Sequence, residues 1–241
     1  MIPAKKSWWA DLVFRPYVYG LMKRNFASIN LLGKLPEIEP EYPLLLVPNH
    51  STWWDGFFVY LLNNRVFHRE PYLMMSEEQL RRYPFFARLG VYSVAQKNVI
   101  SSLKYSVRIL ESDQNIMLCI FPQGELTLWD ARPLNYKRGV EWILSQYGER
   151  VNLLPLAIKT AFTDQKKPET FLLFDQNYVF DQVIFPGMDW LEGRETDLLE
   201  DLHERILHKE REQVLLQNKM PKKNTPRIEK VDSPAVIVGK Q

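Results

Sequence analysis

Leu44-Leu45-Leu46-Val47-Pro48-Asn49-His50-Ser51-Thr52-Trp53-Trp54-Asp55 runs from four branched apolar residues into a histidine and an aspartate with four residues between them. A continuous apolar run of this kind suits a strand buried on both faces, as in parallel sheets. An imidazole at the mouth of such a strand, with a carboxylate on the next turn of chain, is equipped to take a proton from a hydroxyl group. Residues five apart on a regular helix point about 140° away from each other, so His50 must precede the helix rather than sit on it. Thr52 and Asp55 have the spacing of a capping box, which predicts a helix starting near Thr52 with Asp55 in its first turn. From there Asp55 would hold His50 in one tautomer and stabilise the imidazolium as it forms. Taken alone, the pair is equally readable as a helix cap beside an ordinary loop histidine.

A second segment adds weight. Asn115-Ile116-Met117-Leu118-Cys119-Ile120-Phe121 reads as a buried strand ending in Pro122-Gln123-Gly124-Glu125-Leu126-Thr127, where proline stops the ladder and glycine permits a tight turn. Asn49-His50 through Asp55 resembles the N-H-x-x-x-x-D motif of the glycerolipid acyltransferase family, which includes glycerol-phosphate and lysophosphatidate acyltransferases. Phe121 to Thr127 resembles its F-P-E-G-T-R-S block. Tyr136-Lys137-Arg138-Gly139 and Leu154-Pro155-Leu156 resemble the F-K-x-G and V-P-V segments in the expected order, and Leu89 to Val94 sits where the family has a glycine-led strand. The resemblance spans residues 44 to 158, about half the chain. It implies an acyltransferase that moves a fatty acyl group from acyl-CoA or acyl carrier protein to a lipid hydroxyl, with a lysophosphatidate-type glycerolipid as acceptor.

In that scheme His50 is the general base, Asp55 orients it, and backbone amides around Gly124 are candidates for holding the oxyanion. Gln123, Gly124 and Glu125, with Lys97, Lys137 and Arg138, form the expected oxyanion and acceptor side. The alternative for the three cations is an ordinary solvated surface. Gln123 stands where the family has glutamate, Leu126 where it has a phosphate-linked arginine, and Gln96-Lys97 where it has acid and arginine. Leucine cannot make the bidentate charge-assisted bonds that a guanidinium offers a phosphate. An unphosphorylated acceptor such as a glycolipid or carotenoid glycoside therefore stays open, as does a non-catalytic lipid-binding relative. Trp53, Trp54, Phe57 and Phe58 are the expected wall of an acyl pocket, with plain core packing as the alternative. The leaving thiol has a free pKa of about 8.5, so its expulsion needs no strong acid, and the scheme needs no metal, cofactor or covalent acyl-enzyme. Cys119, the only cysteine, lies mid-strand and reads as a buried hydrophobe.

Other chemistries lack their motifs. There is no G-x-S-x-G elbow, no phosphate-binding G-x-x-x-x-G-K loop and no G-x-G-x-x-G turn. His203 and His208 are one residue too far apart to chelate zinc from a helix. A single cysteine forms no internal disulfide, and a net charge of +2 over 241 residues predicts no nucleic-acid partner. The charge is uneven. Residues 1–25 set Lys5, Lys6, Arg15, Lys23 and Arg24 against Asp11, among Trp8, Trp9, Phe14, Tyr17 and Tyr19. Such a helix suits the membrane interface, and its cations interrupt the roughly 20 apolar residues a crossing needs. Its alternative is a helix packed on the protein's own core. Residues 217–241, with Lys219, Lys222, Lys223, Arg227 and Lys230, read as a flexible basic tail. A peripheral or monotopic enzyme on the cytoplasmic face of a membrane is the expectation.

Strands are predicted at 43–48, 71–75, 90–95, 115–121, 151–158 and 171–180, and helices at 8–30, 52–63, 77–89, 101–112, 137–147 and 196–216. Pro84 is expected to break or kink its helix. The alternation predicts an α/β fold, a mixed and largely parallel sheet covered by helices on both faces. Residues 1–33 would form an N-terminal amphipathic helical segment at the membrane interface, 34–216 the acyltransferase domain, and 217–241 the tail.

Overall fold

A computed structural model of the chain describes residues 1–95, 98–181, 183–210 and 213–217. The basic tail beyond Gln217 lies outside the described residues. The strands are β1 (Ser28–Leu32), β2 (Leu44–Pro48), β3 (Glu70–Ser76), β4 (Val91–Val94), β5 (Ile116–Cys119), β6 (Val151–Ala161), β7 (Glu169–Phe174), β8 (Tyr178–Phe180) and β9 (Gln213–Gln217). Between them run helices α1 (Trp8–Asn25), α2 (Asp55–Leu62), α3 (Glu77–Arg82), α4 (Val99–Leu110), α5 (Gly139–Tyr147) and α6 (Met188–Leu207). One sheet takes the order β4-β3-β5-β2-β6-β7-β1-β9, with β8 also pairing with β6. β3, β4, β5, β2 and the start of β6 are parallel neighbours, as are β1 and β7, whereas β6–β7, β6–β8 and β1–β9 are antiparallel. The mixed, mostly parallel α/β fold agrees with the sequence.

The apolar run explains the layering. Leu44 and Leu46 project into a core shared with α1 and α2, and Leu45 and Val47 into a second core shared with α4 and α5. Each such leucine, fully buried, contributes roughly 1.5–3 kcal/mol relative to exposure, so both faces of β2 demand cover. β2 and β5 are parallel neighbours, with Leu46 opposite Cys119, so the loops that follow them leave the same edge of the sheet side by side. Ligand crevices of open α/β sheets form at this carboxyl edge.

Several boundaries differ from the sequence expectation. α1 ends at Asn25, and residues 28–32 form a strand inside the segment expected to be helical. Met22, Phe26 and Ile29 imitate a helical spacing, but every residue of β1 is buried and each pairs with β7. α6 starts earlier than expected, at Met188, and stops at Leu207; Lys209 then takes φ +58, and Val214, Leu215 and Leu216 belong to an edge strand. The expected strand 171–180 divides into β7 and β8 around Asp175, which Arg194 grips through two bonds of 2.8 and 3.0 Å. Helix 77–89 breaks at Tyr83, and Pro84 opens a 3₁₀ turn to Leu89.

α1 buries Ala10, Phe14, Val18 and Met22 at four-residue spacing. Phe14 meets Tyr60 edge-on at 5.1 Å, and Tyr60 donates its hydroxyl to Asp11. The outer face leaves Trp8, Leu12, Val13 and Tyr17 exposed. The helix thus packs on the core and still presents an apolar surface. Among the described residues no helix is long and apolar enough to cross a membrane.

Candidate active site

Where β2 ends, Asn49 extends its grip on β6 with side-chain bonds to Ile158 N at 2.7 Å and Ile158 O at 3.1 Å. The chain then leaves the sheet. His50 stands on the loop as expected, but α2 begins at Asp55, with Trp54 rather than Thr52 at its cap. The expected capping box forms only in part: Asp55 reaches back to the Thr52 N–H at 2.9 Å, while the Thr52 hydroxyl donates to Asp55 at 2.6 Å and does not cap the backbone of residue 55. Asp55 is fully buried and serves four donors, with the Ser51 N–H at 2.8 Å and His50 Nδ1 at 2.9 Å completing the set. An ionised carboxylate only accepts, so Nδ1 carries the proton of a neutral imidazole and Nε2 keeps the lone pair. A histidine base would need an orienting acid placed in this way.

The loop after β5 folds over the same histidine. The Phe121 ring stacks on His50 at 4.2 Å. Gln123 accepts from the His50 N–H at 2.6 Å and donates to the Thr127 hydroxyl, and the Thr127 N–H donates to the His50 carbonyl at 3.0 Å. Gln123, placed by sequence on the oxyanion and acceptor side, is instead a buried clip between the two loops, with both ends of its amide occupied. Gly124 takes φ +71 and gives its N–H to the Phe121 carbonyl at 3.0 Å, so that amide is engaged in a turn rather than aimed at an oxyanion. The positive φ is what calls for glycine there, and the Lys137 ammonium lies close by, 2.9 Å from where a Cβ would stand. Lys137 is therefore brought onto the loop. Glu125 and Leu126 are exposed at its tip. Arg138 makes a bidentate pair with Glu141 at 2.6 and 3.0 Å, which raises its pKa and leaves it serving the start of α5. Lys97 lies outside the described residues.

His50 opens onto a cavity of about 420 Å³. Of the expected acyl-pocket residues, Trp53 and Phe57 line it. Trp54 and Phe58 do not: Phe58 is fully buried, and both rings pack edge-on against Phe26, at 4.9 and 5.3 Å. Neighbouring positions on a helix point about 100° apart, so a pair of adjacent aromatics divides between cavity and core. The far wall went unnoticed in the sequence. It comes from Leu73, Met74 and Met75 on β3 and from Tyr83 and Phe86 after α3. The aromatic run Tyr83-Pro84-Phe85-Phe86 was the available signal. No lysine or arginine is among the described lining residues. A second, open depression of about 650 Å³ lies between Arg132 and α6, lined by Pro133, Asp189, Glu192, Gly193, Thr196 and Asp197 beside that arginine and by no histidine. Cys119 is buried and its thiol is pushed well up by desolvation, as an inert hydrophobe would be.

A family model described as Acyltransferase matches residues 23–159, which takes in β2, α2, β5 and both loops at His50. No curated protein sequence matches the chain significantly. Among solved structures, the 1-acyl-sn-glycerophosphate (LPA) acyltransferase PlsC from Thermotoga maritima superposes with a TM-score of 0.53 at 16% identity, over 83% of each chain. At that identity the likeness is one of fold. With more than half of its length matched by the family model, and with the histidine loop and its apolar cavity inside or beside that span, the chain belongs to the Acyltransferase family and is an acyltransferase.

Proposed function

We propose that the protein transfers a fatty acyl group from an acyl thioester, acyl-CoA or acyl carrier protein, to a lipid hydroxyl, with His50 as general base oriented by Asp55. The observation that carries this is the His50–Asp55 pair at 2.9 Å, opening onto a largely apolar cavity of about 420 Å³. Nε2 takes the proton of the acceptor hydroxyl as its oxygen attacks the thioester carbonyl. The tetrahedral oxyanion collapses, the C–S bond breaks, and the proton passes from His50 to the departing thiolate. Lys137, lying across Gly124, supplies positive charge on the loop beside the reacting carbonyl. The motif correspondence drawn from the sequence assigns the same roles to His50 and Asp55. The apolar outer face of α1, with Trp8, Leu12, Val13 and Tyr17, suits peripheral docking on the cytoplasmic face of a membrane, where a lipid acceptor resides.

A lysophosphatidate-type glycerolipid is one acceptor, with its phosphate beside Lys137. The second reading, an unphosphorylated hydroxyl such as that of a glycolipid, is favoured by a specific observation: Leu126 is 53% exposed at the cavity mouth, with no cation among the described lining residues. The test is transfer from labelled acyl-CoA, and then acyl carrier protein, to lysophosphatidate and to a glycolipid extract, with products identified by mass. A phosphatidic acid product selects the first acceptor and an acylated glycolipid the second. No His50-dependent product from either donor contradicts the proposal.

A further inference from the structure

Three carboxyls are fully or nearly fully buried among the described residues, and they are not alike. Asp55 serves four donors, and Glu169 accepts from Ser28 at 2.7 Å and from Thr163. Glu195, on α6, has zero exposure and no close, well-aligned hydrogen-bond partner at either oxygen. The backbone N–H groups of Asn49 and Leu156 face it and favour its charged form, against the larger opposing effect of burial. Leu156 is the register partner of Pro48, so the carboxyl sits against the last rung of the β2–β6 pairing, next to the residue that precedes His50. The Tyr136 hydroxyl, also buried and without a partner, faces the same region.

The charges around Glu195 do not neutralise it. Asp175 is tied to Arg194 at 2.8 and 3.0 Å, and Glu192 accepts from the backbone N–H groups of Asn135 and Tyr136. Arg132 acts from a distance and donates to the carbonyls of Trp129 and Ala131. Desolvation dominates and pushes the Glu195 carboxyl up to about 8. Nothing in the reaction scheme uses it.

We propose that Glu195 is a positioning residue for acyl transfer: as the neutral acid it fills the space beneath Asn49 and Leu156 and seats the strand end that carries His50. This rests on His50 being the base. Ionisation places a fully buried charge with no cation paired to it against the backbone of Asn49 and Leu156, whose two N–H groups offset only part of the lost hydration, and relieving it moves α6 or the end of β2. A displacement of about 1 Å at a reacting group costs on the order of 100-fold in rate. The acyl cavity is walled by α2 and β3, away from α6, so the effect falls on kcat and leaves the KM for acyl-CoA in place.

The experiment is the pH dependence of kcat and KM for the full-length wild type, Glu195→Gln and His50→Ala. Wild-type kcat is expected to fall about tenfold per pH unit above the Glu195 ionisation. Glu195→Gln, which stays neutral, is expected to keep kcat at neutral pH within about twofold and to lose that alkaline fall. Identical wild-type and Glu195→Gln profiles overturn the proposal. If Glu195→Gln does not fold, a wild-type kcat that stays level above the Glu195 ionisation overturns it equally. His50→Ala separates the two claims, because full activity in that variant removes the base assignment, whereas inactivity at every pH leaves it standing whatever Glu195 does.

Discussion

The loops after β2 and after β5 leave the sheet side by side and meet at His50, yet they are built in opposite ways. In the first, Asn49, His50, Thr52 and Asp55 spend their polar atoms on one another and on Gln123, Thr127 and β6. In the second, beyond the Gln123 clip, the tip turns Leu126 and Leu128 towards solvent, 53% and 78% exposed. The proposed chemistry requires a base held within a fraction of an ångström, and the bonding of the first loop suits that requirement. Acceptor choice requires only a surface of suitable chemistry. Two of the departures from the family pattern, Gln123 and Leu126, fall in the second loop, one at its buried root and one at its exposed tip.

The comparison breaks most severely if the first loop is disarmed. Asp55→Asn replaces an acceptor-only carboxylate with an amide that leaves His50 free to adopt the wrong tautomer, and a loss on the order of 10³-fold in kcat is expected with little change in KM. Circular dichroism of the variant must show an intact fold for the result to count. Gln123 offers a gentler cut. Gln123→Ala strands the His50 N–H and the Thr127 hydroxyl, so a stability loss of about 1–3 kcal/mol is expected, measured by urea unfolding, with a fall in kcat of about tenfold or more. Gln123→Glu, the residue of the family pattern, still accepts from the His50 N–H and can accept from the Thr127 hydroxyl, and is expected to stay near wild type.

Leu126→Arg sharpens the comparison, because it changes the tip while leaving the root alone. The ratio of kcat/KM for phosphorylated over unphosphorylated acceptors is expected to rise about tenfold, the value of one charge-assisted pair in a partly exposed setting. An unchanged ratio would mean that the tip does not meet the acceptor headgroup. The smallest effect belongs to Trp53→Ala, which removes one wall of the cavity mouth while the rest stays closed. A rise of a few-fold in KM for long-chain acyl-CoA, and less for short chains, is the expected result.

The sequence made the sheet and the first loop legible because both are local. Leu44 to Val47 declares a two-faced strand, and the spacing of His50 and Asp55 forces the histidine off the helix. It was less informative where two elements compete for one pattern. Met22, Phe26 and Ile29 keep a helical period across the boundary between α1 and β1, so the strand was hidden inside an expected helix. Side-chain direction also escaped: Trp53 and Trp54 look alike in sequence and part company in the turn that leads into α2. The far wall of the cavity escaped for a third reason, since β3 and the turn after α3 reach His50 only through tertiary packing. Gln123 looked like a replaced catalytic-loop glutamate, and only its bonds to His50 and Thr127 reveal a clip.

The central claim is that a base held by Asp55 drives acyl transfer, and its most direct measurement is the acceptor-dependent release of thiol from acyl-CoA by wild type and by a folded His50→Ala variant. Loss of the base predicts a fall of about 10²–10⁴-fold. A His50→Ala variant that releases thiol and forms acylated lipid at the wild-type rate would contradict the account.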